Sequence, residues 1–390
     1  MKITEIRARV VEWRGETVAL QPHFCTNPMD LLVPDLATMG QFRFHDWLVV
    51  EVFTDAGHVG IGNAALAPRI SKQIIDAYLA PSLLGKEPFD SEYLWQQMYR
   101  QTMAFGRKGV VMAAISAVDI AIWDLLGKAT SQPVFRLLGG RTKKKIPVYA
   151  SRLYSQPLDK LAAEAQSYKD QGYTAMKLRF GWGPVDGAAG MERNLELVRT
   201  VREVIGYEID LMADAYMGWT LDYARRMVPL LEPYRLRWLE EAVIPDDIHG
   251  YASLKALGRI PIAGGEHEHT IYGFRELLEA NAVDYIQFDA NRVGGISQAR
   301  KVAALAEAYS VPVVPHAGQM HNFHVVMASL NSPIAEYFPI VDVEVGNELF
   351  WYIFEGEPKA EKGYIDLRDD VPGLGLTIRE EALKKFNVVE

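Results

Sequence analysis

The sequence predicts an α/β protein, a modified (β/α)8 TIM barrel joined to an α+β capping domain, and three observations lead to this fold class. Short apolar runs alternate with amphipathic segments of helical length between about residue 146 and residue 337. The first third of the chain instead shows strand patterns followed by helix patterns. A polar residue closes most of the apolar runs, as expected where parallel strands end at the mouth of a barrel.

Eight apolar runs are the predicted barrel strands, at residues 146–150, 175–178, 209–213, 236–239, 261–263, 285–288, 311–314 and 334–337. Segments between them, such as 158–168 and 195–205, repeat apolar residues at the three-to-four spacing of an amphipathic helix. An open doubly wound sheet is the alternative. We find no dinucleotide-binding fingerprint, because Gly181-Trp182-Gly183 is followed by Asp186 where the third glycine should stand. The repeats therefore favour the barrel.

The first third of the chain predicts a separate α+β unit. Residues 48–53 and 59–62 read as a hairpin around a turn at 55–57, and residues 70–128 follow helical periodicity. The clearest helix runs from Gly109 to Leu126. An irregular stretch at about 17–46 precedes the hairpin, and long loops of this kind are usually functional or disordered.

Composition narrows the class of protein. The chain has 390 residues, of which 49% are hydrophobic and 23% charged, and its net charge is −9. This length suits two domains, and the acidic balance argues against nucleic acid or an anionic membrane as a partner. Cys25 is the only cysteine, so an internal disulfide is excluded, and we see no signal-peptide or membrane-spanning pattern. We therefore expect a cytoplasmic protein.

Three acidic residues close three successive predicted strands at equal intervals of about one β/α unit: Asp214, Glu240 and Glu266. Each taken singly could cap the helix that follows its strand. Together they would converge at one mouth and repel one another unless a cation neutralised them, and hard oxygen ligands suit Mg²⁺. Zinc is the alternative metal, because His267-Glu268-His269 offers two imidazoles.

Two further strand ends suggest a general base. Asp289 ends the sixth predicted strand and His316 follows the seventh, so the carboxylate can fix the tautomer of the imidazole. The alternative for such a histidine is a structural role. Lys177 and Arg179 alternate on the second strand, where arginine is a poor base and lysine is better suited to binding a carboxylate. Glu336 ends the eighth strand and is either a hydrogen-bond partner for the substrate or a surface carboxylate.

Several motifs together resemble the enolase superfamily, and within it the mandelate racemase group. They are Trp238-Leu239-Glu240-Glu241, Gly265-Glu266, Arg292-Val293-Gly294-Gly295, and the helix at 117–128 that leads into the barrel. The resemblance implies a capping domain at 1–128 plus 365–390, a barrel at 129–364, and an early loop that covers the site. It also implies a homo-oligomer, either a dimer or an octamer.

Within the group, three stretches are similar to the L-rhamnonate dehydratase family, namely 182–190, Gly265-Glu266-His267 and Val314-Pro315-His316. On this likeness Asp214, Glu240 and Glu266 ligate Mg²⁺, and Asp289 and His316 form the catalytic pair. His267 and His23 are then further polar contacts, with Trp182 beside them. The stretches 29–47 and 340–357 depart from the family, and both lie where substrate is selected.

The predicted reaction is dehydration of a small acid sugar. Racemases of the group carry Lys-x-Lys on the second strand, whereas this chain carries Lys177-Leu178-Arg179 and so keeps one competent base. His316 would take the C2 proton of an aldonate, the 3-hydroxyl would leave with a proton from His316 or His267, and a 2-keto-3-deoxy acid would form. The alternatives are a racemase, epimerase or cycloisomerase of the same fold, and a non-catalytic sugar-acid-binding protein.

Overall fold

An antiparallel sheet forms the N-terminal part of the fold. The computed structural model describes residues 1–18, 20–32, 45–341 and 346–389. Within them, β1 (Ile3–Trp13), β2 (Asp46–Thr54) and β3 (Val59–Ala64) pair in this order. The last strand of the chain, Phe386–Val389, adds to the free edge of β1. Part of the predicted early loop, residues 33–44, lies outside the described residues.

Helices follow this sheet in the chain: α1 (Pro68–Ile74), which continues through a π-helical turn at Ile75–Leu79, α2 (Ala80–Leu83), α3 (Ser91–Thr102) and α4 (Val110–Ala129). α1, α2 and α4 pack on the sheet, and α3 packs on α4. α4 is long and apolar enough to cross a membrane, but 94% of its apolar window is buried inside the fold. Gly60 and Gly62 let β3 approach it closely, since a Cβ at either would lie 2.0 Å from a carbonyl oxygen of α4.

Within the described ranges the barrel has seven parallel strands: β4 (Ile146–Ser151), β5 (Ala175–Arg179), β6 (Asp210–Asp214), β7 (Leu239–Glu240), β8 (Ile262–Gly264), β9 (Tyr285–Ile286) and β10 (Ala335–Tyr337). Neighbours in the chain are neighbours in the sheet, and β10 returns to pair with β4. The predicted barrel class is confirmed by this order. The predicted seventh strand makes only two isolated parallel bridges, Ile286 with Val313 and Asp289 with His316.

Helices alternate with these strands around the outside of the barrel: α5 (Val134–Leu137), α6 (Leu158–Asp170), α7 (Gly187–Ile205), α8 (Leu221–Leu231), α9 (Ile248–Lys255), α10 (Thr270–Glu279), α11 (Gly295–Ala308) and α12 (Met320–Ala328). The C-terminal segment holds β11 (Phe354–Glu355), β12 (Tyr364–Ile365), β13 (Thr377–Ile378) and the short helices α13 (Phe350–Ile353) and α14 (Glu380–Lys385).

Buried carboxylates of α4 tie the N-terminal layer to the rest of the chain. Asp124 accepts hydrogen bonds from the backbone N–H of Ile61 and of Leu374. Asp119 accepts from both the N–H and the hydroxyl of Ser297 at the start of α11. These contacts bring the N-terminal layer against the barrel, while the division of the chain at 1–128, 129–364 and 365–390 stays a prediction.

Candidate active site

The polar ends of three neighbouring strands meet at one mouth of the barrel. Because β5, β6 and β7 are parallel, their register pairs Arg179 with Asp214, and Asp214 with Glu240. Lys177 stands two residues before Arg179, so both side chains point to the same face of β5. All four side chains are buried.

The ammonium group of Lys177 lies among three carboxylates. It donates to Glu240, and its Nζ lies 3.0 Å from Glu336 Oε1 and 3.5 Å from Asp214 Oδ2. Burial opposes the charge, but the surrounding acidic groups, Glu240 and Glu336 first, together outweigh burial and hold the pKa of Lys177 well above its usual value. Lys177 therefore stays protonated, which suits it to binding a carboxylate and not to removing a proton.

Arg179 pairs with Asp214 at the next strand end. Its Nε–H has no hydrogen-bond partner among the described residues, and neither do the buried Tyr149 hydroxyl and Glu336 Oε2. Buried polar atoms of this kind are usually satisfied by a partner or a ligand. The mouth of the barrel thus offers donors and an acceptor to a polar ligand.

Glu240 is held by two neighbours, Trp238 and Gln287, to which the sequence patterns assign no role. Trp238 Nε1 donates to Glu240 Oε2 at 2.9 Å, and Gln287 Nε2 donates to the same oxygen at 2.7 Å. Burial raises the pKa of Glu240 by more than the neighbouring Lys177 lowers it, and the resulting pKa is about 7. Trp238 and Gln287 each precede a candidate site carboxylate by two residues, and this alternation was the available signal.

His316 and Asp289 form a buried hydrogen-bonded pair. His316 Nδ1 lies 2.8 Å from Asp289 Oδ2, and the N–H of Asn291 donates to the other carboxylate oxygen at 2.7 Å. Burial would raise the pKa of Asp289, but the bond to His316 and a nearby arginine lower it. Burial would lower the pKa of His316, but nearby carboxylates, Glu266 first, raise it. The predicted pairing of these two strand ends therefore has the geometry of a general base and its orienting carboxylate.

Glu266 stands next to this pair, just past the end of β8. Its Oε2 lies 3.6 Å from His316 Nε2, and its Oε1 accepts from Arg292 Nη1 at 3.0 Å. Burial would raise the pKa of Glu266, but His316 and Arg292 hold it well below its usual value. Glu266 is therefore an ionised carboxylate beside the candidate base.

A second carboxylate–imidazole pair flanks Glu266. His267 Nδ1 lies 2.9 Å and 3.0 Å from the two carboxylate oxygens of Glu241. Among the described residues, the three-donor group whose ligand atoms all lie within 4.8 Å of one another consists of Glu241, Glu266 and His267. Sequence reasoning had assigned no role to Glu241.

The predicted metal triad of Asp214, Glu240 and Glu266 shares only Glu266 with that group. Asp214 and Glu240 are engaged by the two cations of β5. All three carboxylates are nevertheless buried at successive strand ends, and hard oxygen donors with room for polar ligands fit Mg²⁺. His269 does not supply the second imidazole that the zinc alternative needs. Its Nε2 already accepts a hydrogen bond from the N–H of Gly109 at 3.0 Å.

The chain before the undescribed loop lies across the barrel mouth. Thr26 bonds to the carbonyls of Phe180 and Ala215, which follow β5 and β6. His23 stacks on Trp182 with ring centroids 5.2 Å apart, and its Nδ1 lies 3.1 Å from the carbonyl of Gly181. The two predicted substrate contacts, His23 and Trp182, are thus brought together at the rim.

Comparison with known proteins decides the family. One family model, described as Enolase C-terminal domain-like, matches residues 160–382, and another, Mandelate racemase / muconate lactonizing enzyme, N-terminal domain, matches residues 24–139. The chain belongs to the mandelate racemase group of the enolase superfamily. The family predicted from the sequence motifs is therefore confirmed.

Relatives within the superfamily carry different activities. An L-rhamnonate dehydratase of Saccharopolyspora erythraea is 38% identical to the present chain. The match covers 98% of the present chain and 97% of the relative. The crystal structure of rhamnonate dehydratase from Gibberella zeae complexed with Mg is 31% identical, with a TM-score of 0.84 over 98% of this chain and 96% of that one. The 3,6-anhydro-D-galactonate cycloisomerase of Zobellia galactanivorans is also 31% identical, with a TM-score of 0.82 over 99% and 100% of the two chains.

Proposed function

We propose that this enolase-superfamily member is a Mg²⁺-dependent dehydratase that converts a sugar acid, L-rhamnonate or a related aldonate, into a 2-keto-3-deoxy acid. The observation that carries the proposal is the His316–Asp289 pair, 2.8 Å apart and beside Glu266 at the barrel mouth. Similarity to an L-rhamnonate dehydratase over nearly the whole chain supports the choice of reaction.

His316 Nε2 is the atom proposed to accept the C2 proton. Asp289 accepts the Nδ1–H of His316, which leaves Nε2 as the basic nitrogen. Return of that proton to the 3-hydroxyl lets the C3–O bond break and water depart, so a double bond forms between C2 and C3. The resulting enol tautomerises to the keto acid.

His267 is the other candidate for protonating the leaving hydroxyl. Arg292 Nη1 lies 3.3 Å from His267 Nε2, and arginine can only donate. Nε2 therefore accepts in this arrangement, while Nδ1–H points to Glu241. This favours His316 as the group that both removes the C2 proton and returns it.

The carboxylate of the sugar acid would be received by the β5 side of the mouth. Lys177 is proposed to donate to it as a permanent cation, with the unpartnered Nε–H of Arg179 beside it. Glu336 Oε2 is available to accept from a substrate hydroxyl. His23 and Trp182 would close the rim above the sugar chain.

The predicted ligands of Mg²⁺ are Asp214, Glu240 and Glu266. Removal of a proton next to a carboxylate makes an enediolate, and in this superfamily a Lys or His base works with Mg²⁺, whose positive charge stabilises the enediolate oxygens. The residues of this chain then have to hold the substrate carboxylate, orient C2 towards His316 and exclude water. The burial of the site side chains suits the last of these tasks.

The experiment is a screen of aldonic and aldaric acids with Mg²⁺, read as keto-acid formation, for the wild type and for His316→Asn. Loss of a general base costs about 10²–10⁴ in rate, so the variant should show almost no turnover. Its Mg²⁺ affinity, measured by calorimetry, should stay within a few-fold of the wild type. His249→Asn, at an exposed position on α9, is the matched control and should keep full activity.

Other results would point elsewhere. Full activity of His316→Asn on an aldonate would contradict the proposal. Solvent deuterium recovered at C2 of the opposite stereoisomer, without loss of water, would indicate a racemase or epimerase. Binding of sugar acids without turnover of any of them would indicate a non-catalytic binding protein.

A further inference from the structure

Arg292 joins the candidate base pair to the neighbouring strand end. It follows β9 in a tight turn, and its side chain is 9% exposed. Its Nε lies 3.2 Å from Asp289 Oδ2, the same oxygen that His316 contacts. Its Nη1 donates to Glu266 Oε1 at 3.0 Å and to the Glu266 carbonyl at 3.2 Å.

One guanidinium group therefore spans two carboxylates with different proposed tasks. Asp289 orients the base, and Glu266 is a predicted metal ligand. The guanidinium is planar and its donors keep fixed relative directions, so it fixes the spacing of the two carboxylates. A lysine ammonium could reach either carboxylate but would not impose that spacing.

The turn that carries Arg292 is braced by the N-terminal helices. Ser116 Oγ on α4 accepts from the N–H of Gly294 at 2.9 Å and of Gly295 at 3.1 Å. Trp95 Nε1 on α3 donates to the Gly294 carbonyl at 2.7 Å. Both glycines have positive φ, 115° and 78°, so other residues would strain the turn. These contacts fix the backbone next to Arg292, while its guanidinium group contacts Asp289 and Glu266.

We propose that Arg292 is a positioning residue, which holds Asp289 and Glu266 at a fixed separation and thereby sets His316 against the substrate carbon. The inference rests on the proposed dehydratase function for its kinetic consequence. Its geometric part, the support of the His316–Asp289 hydrogen bond, is independent of which substrate is used.

The experiment compares wild type, Arg292→Met and Arg292→Lys, with Arg300→Met on the exposed side of α11 as the matched control. A misplacement of about 1 Å costs about 10²-fold in rate, so kcat of Arg292→Met should fall by about that factor while KM changes less than threefold. Arg292→Lys should recover part of kcat. Mg²⁺ affinity should stay equal or become tighter in Arg292→Met, because a cation next to Glu266 is removed.

A second measurement needs no turnover. In protein labelled with ¹⁵N-histidine, the Nδ1–H resonance of His316 should move or broaden in Arg292→Met and stay unchanged in Arg300→Met. A kcat within threefold of wild type, or an unchanged resonance, would overturn the inference, and so would equal losses of kcat, Mg²⁺ affinity and melting temperature. If the wild type dehydrates no sugar acid, the dehydratase proposal fails, and the resonance alone decides the role of Arg292.

Discussion

Replacing Lys177 with methionine tests whether the cations of β5 hold the carboxylates of the barrel mouth together. The side chain is 1% exposed, and its Nζ contacts Glu240, Glu336 and Asp214. Removing one partner of a buried ion cluster costs about 3–5 kcal/mol, because the remaining charges stay buried and unpaired. We expect the free energy of unfolding in EDTA to fall by about that amount.

Mg²⁺ should restore much of this loss. A ligand present at a thousand times its Kd stabilises the folded state by about 4 kcal/mol. Because the ammonium group no longer repels a cation near Glu240, Mg²⁺ should stabilise Lys177→Met more than it stabilises the wild type. Turnover should not return with stability, since the proposed donor to the substrate carboxylate is gone.

The assay is urea unfolding followed by tryptophan fluorescence, in EDTA and in Mg²⁺. Lys160→Met, at an exposed position of α6, is the control and should stay within about 0.5 kcal/mol of the wild type. If Lys177→Met unfolds at the wild-type urea concentration in EDTA, the ion cluster does not stabilise the fold. If Mg²⁺ fails to shift its midpoint, the carboxylates around Lys177 do not bind the cation.

Three further predictions test other parts of the structure. Glu240→Gln should weaken Mg²⁺ binding at least tenfold by calorimetry while Glu241→Gln changes it less than threefold; the reverse order would assign the metal to the group of Glu241, Glu266 and His267. Burial lowers the pKa of His324 to about 4 from 6.5, so stability should fall as pH drops from about 6.5 towards 4, by about 3 kcal/mol in urea unfolding, and His324→Leu should flatten that slope. Trp182→Ala removes the stacking partner of His23, worth about 0.5–1.5 kcal/mol, and should raise KM about two- to tenfold with little change in kcat.

The barrel could be predicted because apolar runs and amphipathic segments recur along the chain. The one predicted strand that does not form a regular strand has a local cause. The apolar run at 311–314 was predicted as a strand, yet it contributes only isolated bridges. Pro312 and Pro315 lack the N–H that a ladder needs, so a continuous run of sheet hydrogen bonds cannot form there. The remaining contacts, such as Val314 N–H to the Ile286 carbonyl at 2.8 Å, still place His316 at the mouth.

The site was harder to predict where backbone conformation departs from the strand pattern. Glu240 and Glu241 are consecutive, so in a regular strand they would point to opposite faces. Glu241 has a positive φ of 40°, which ends the strand and accompanies its contact with His267. Glutamate is not among the residue types that favour positive φ, so the sequence carries no signal for this conformation. The role of Arg292 was hidden for a similar reason, because its two partners come from different strands.

The charge of the barrel mouth links the metal to the orientation of the substrate. In the described part of the chain, six buried carboxyl groups lie at this mouth with three cationic side chains: Asp214, Glu240, Glu241, Glu266, Asp289 and Glu336 with Lys177, Arg179 and Arg292. A buried surplus of negative charge is costly unless protons or a cation compensate it, so the donor set itself favours a divalent ion. The same surplus would repel the carboxylate of the proposed sugar acid away from these cations. Arg292 is already engaged by Asp289 and Glu266, whereas the Nε–H of Arg179 on β5 has no partner among the described residues. On the proposed function, the cations on β5 and the predicted metal ligands at the ends of β6 to β8 would favour one orientation of an acid sugar, with its carboxylate between them and its carbon chain towards His316.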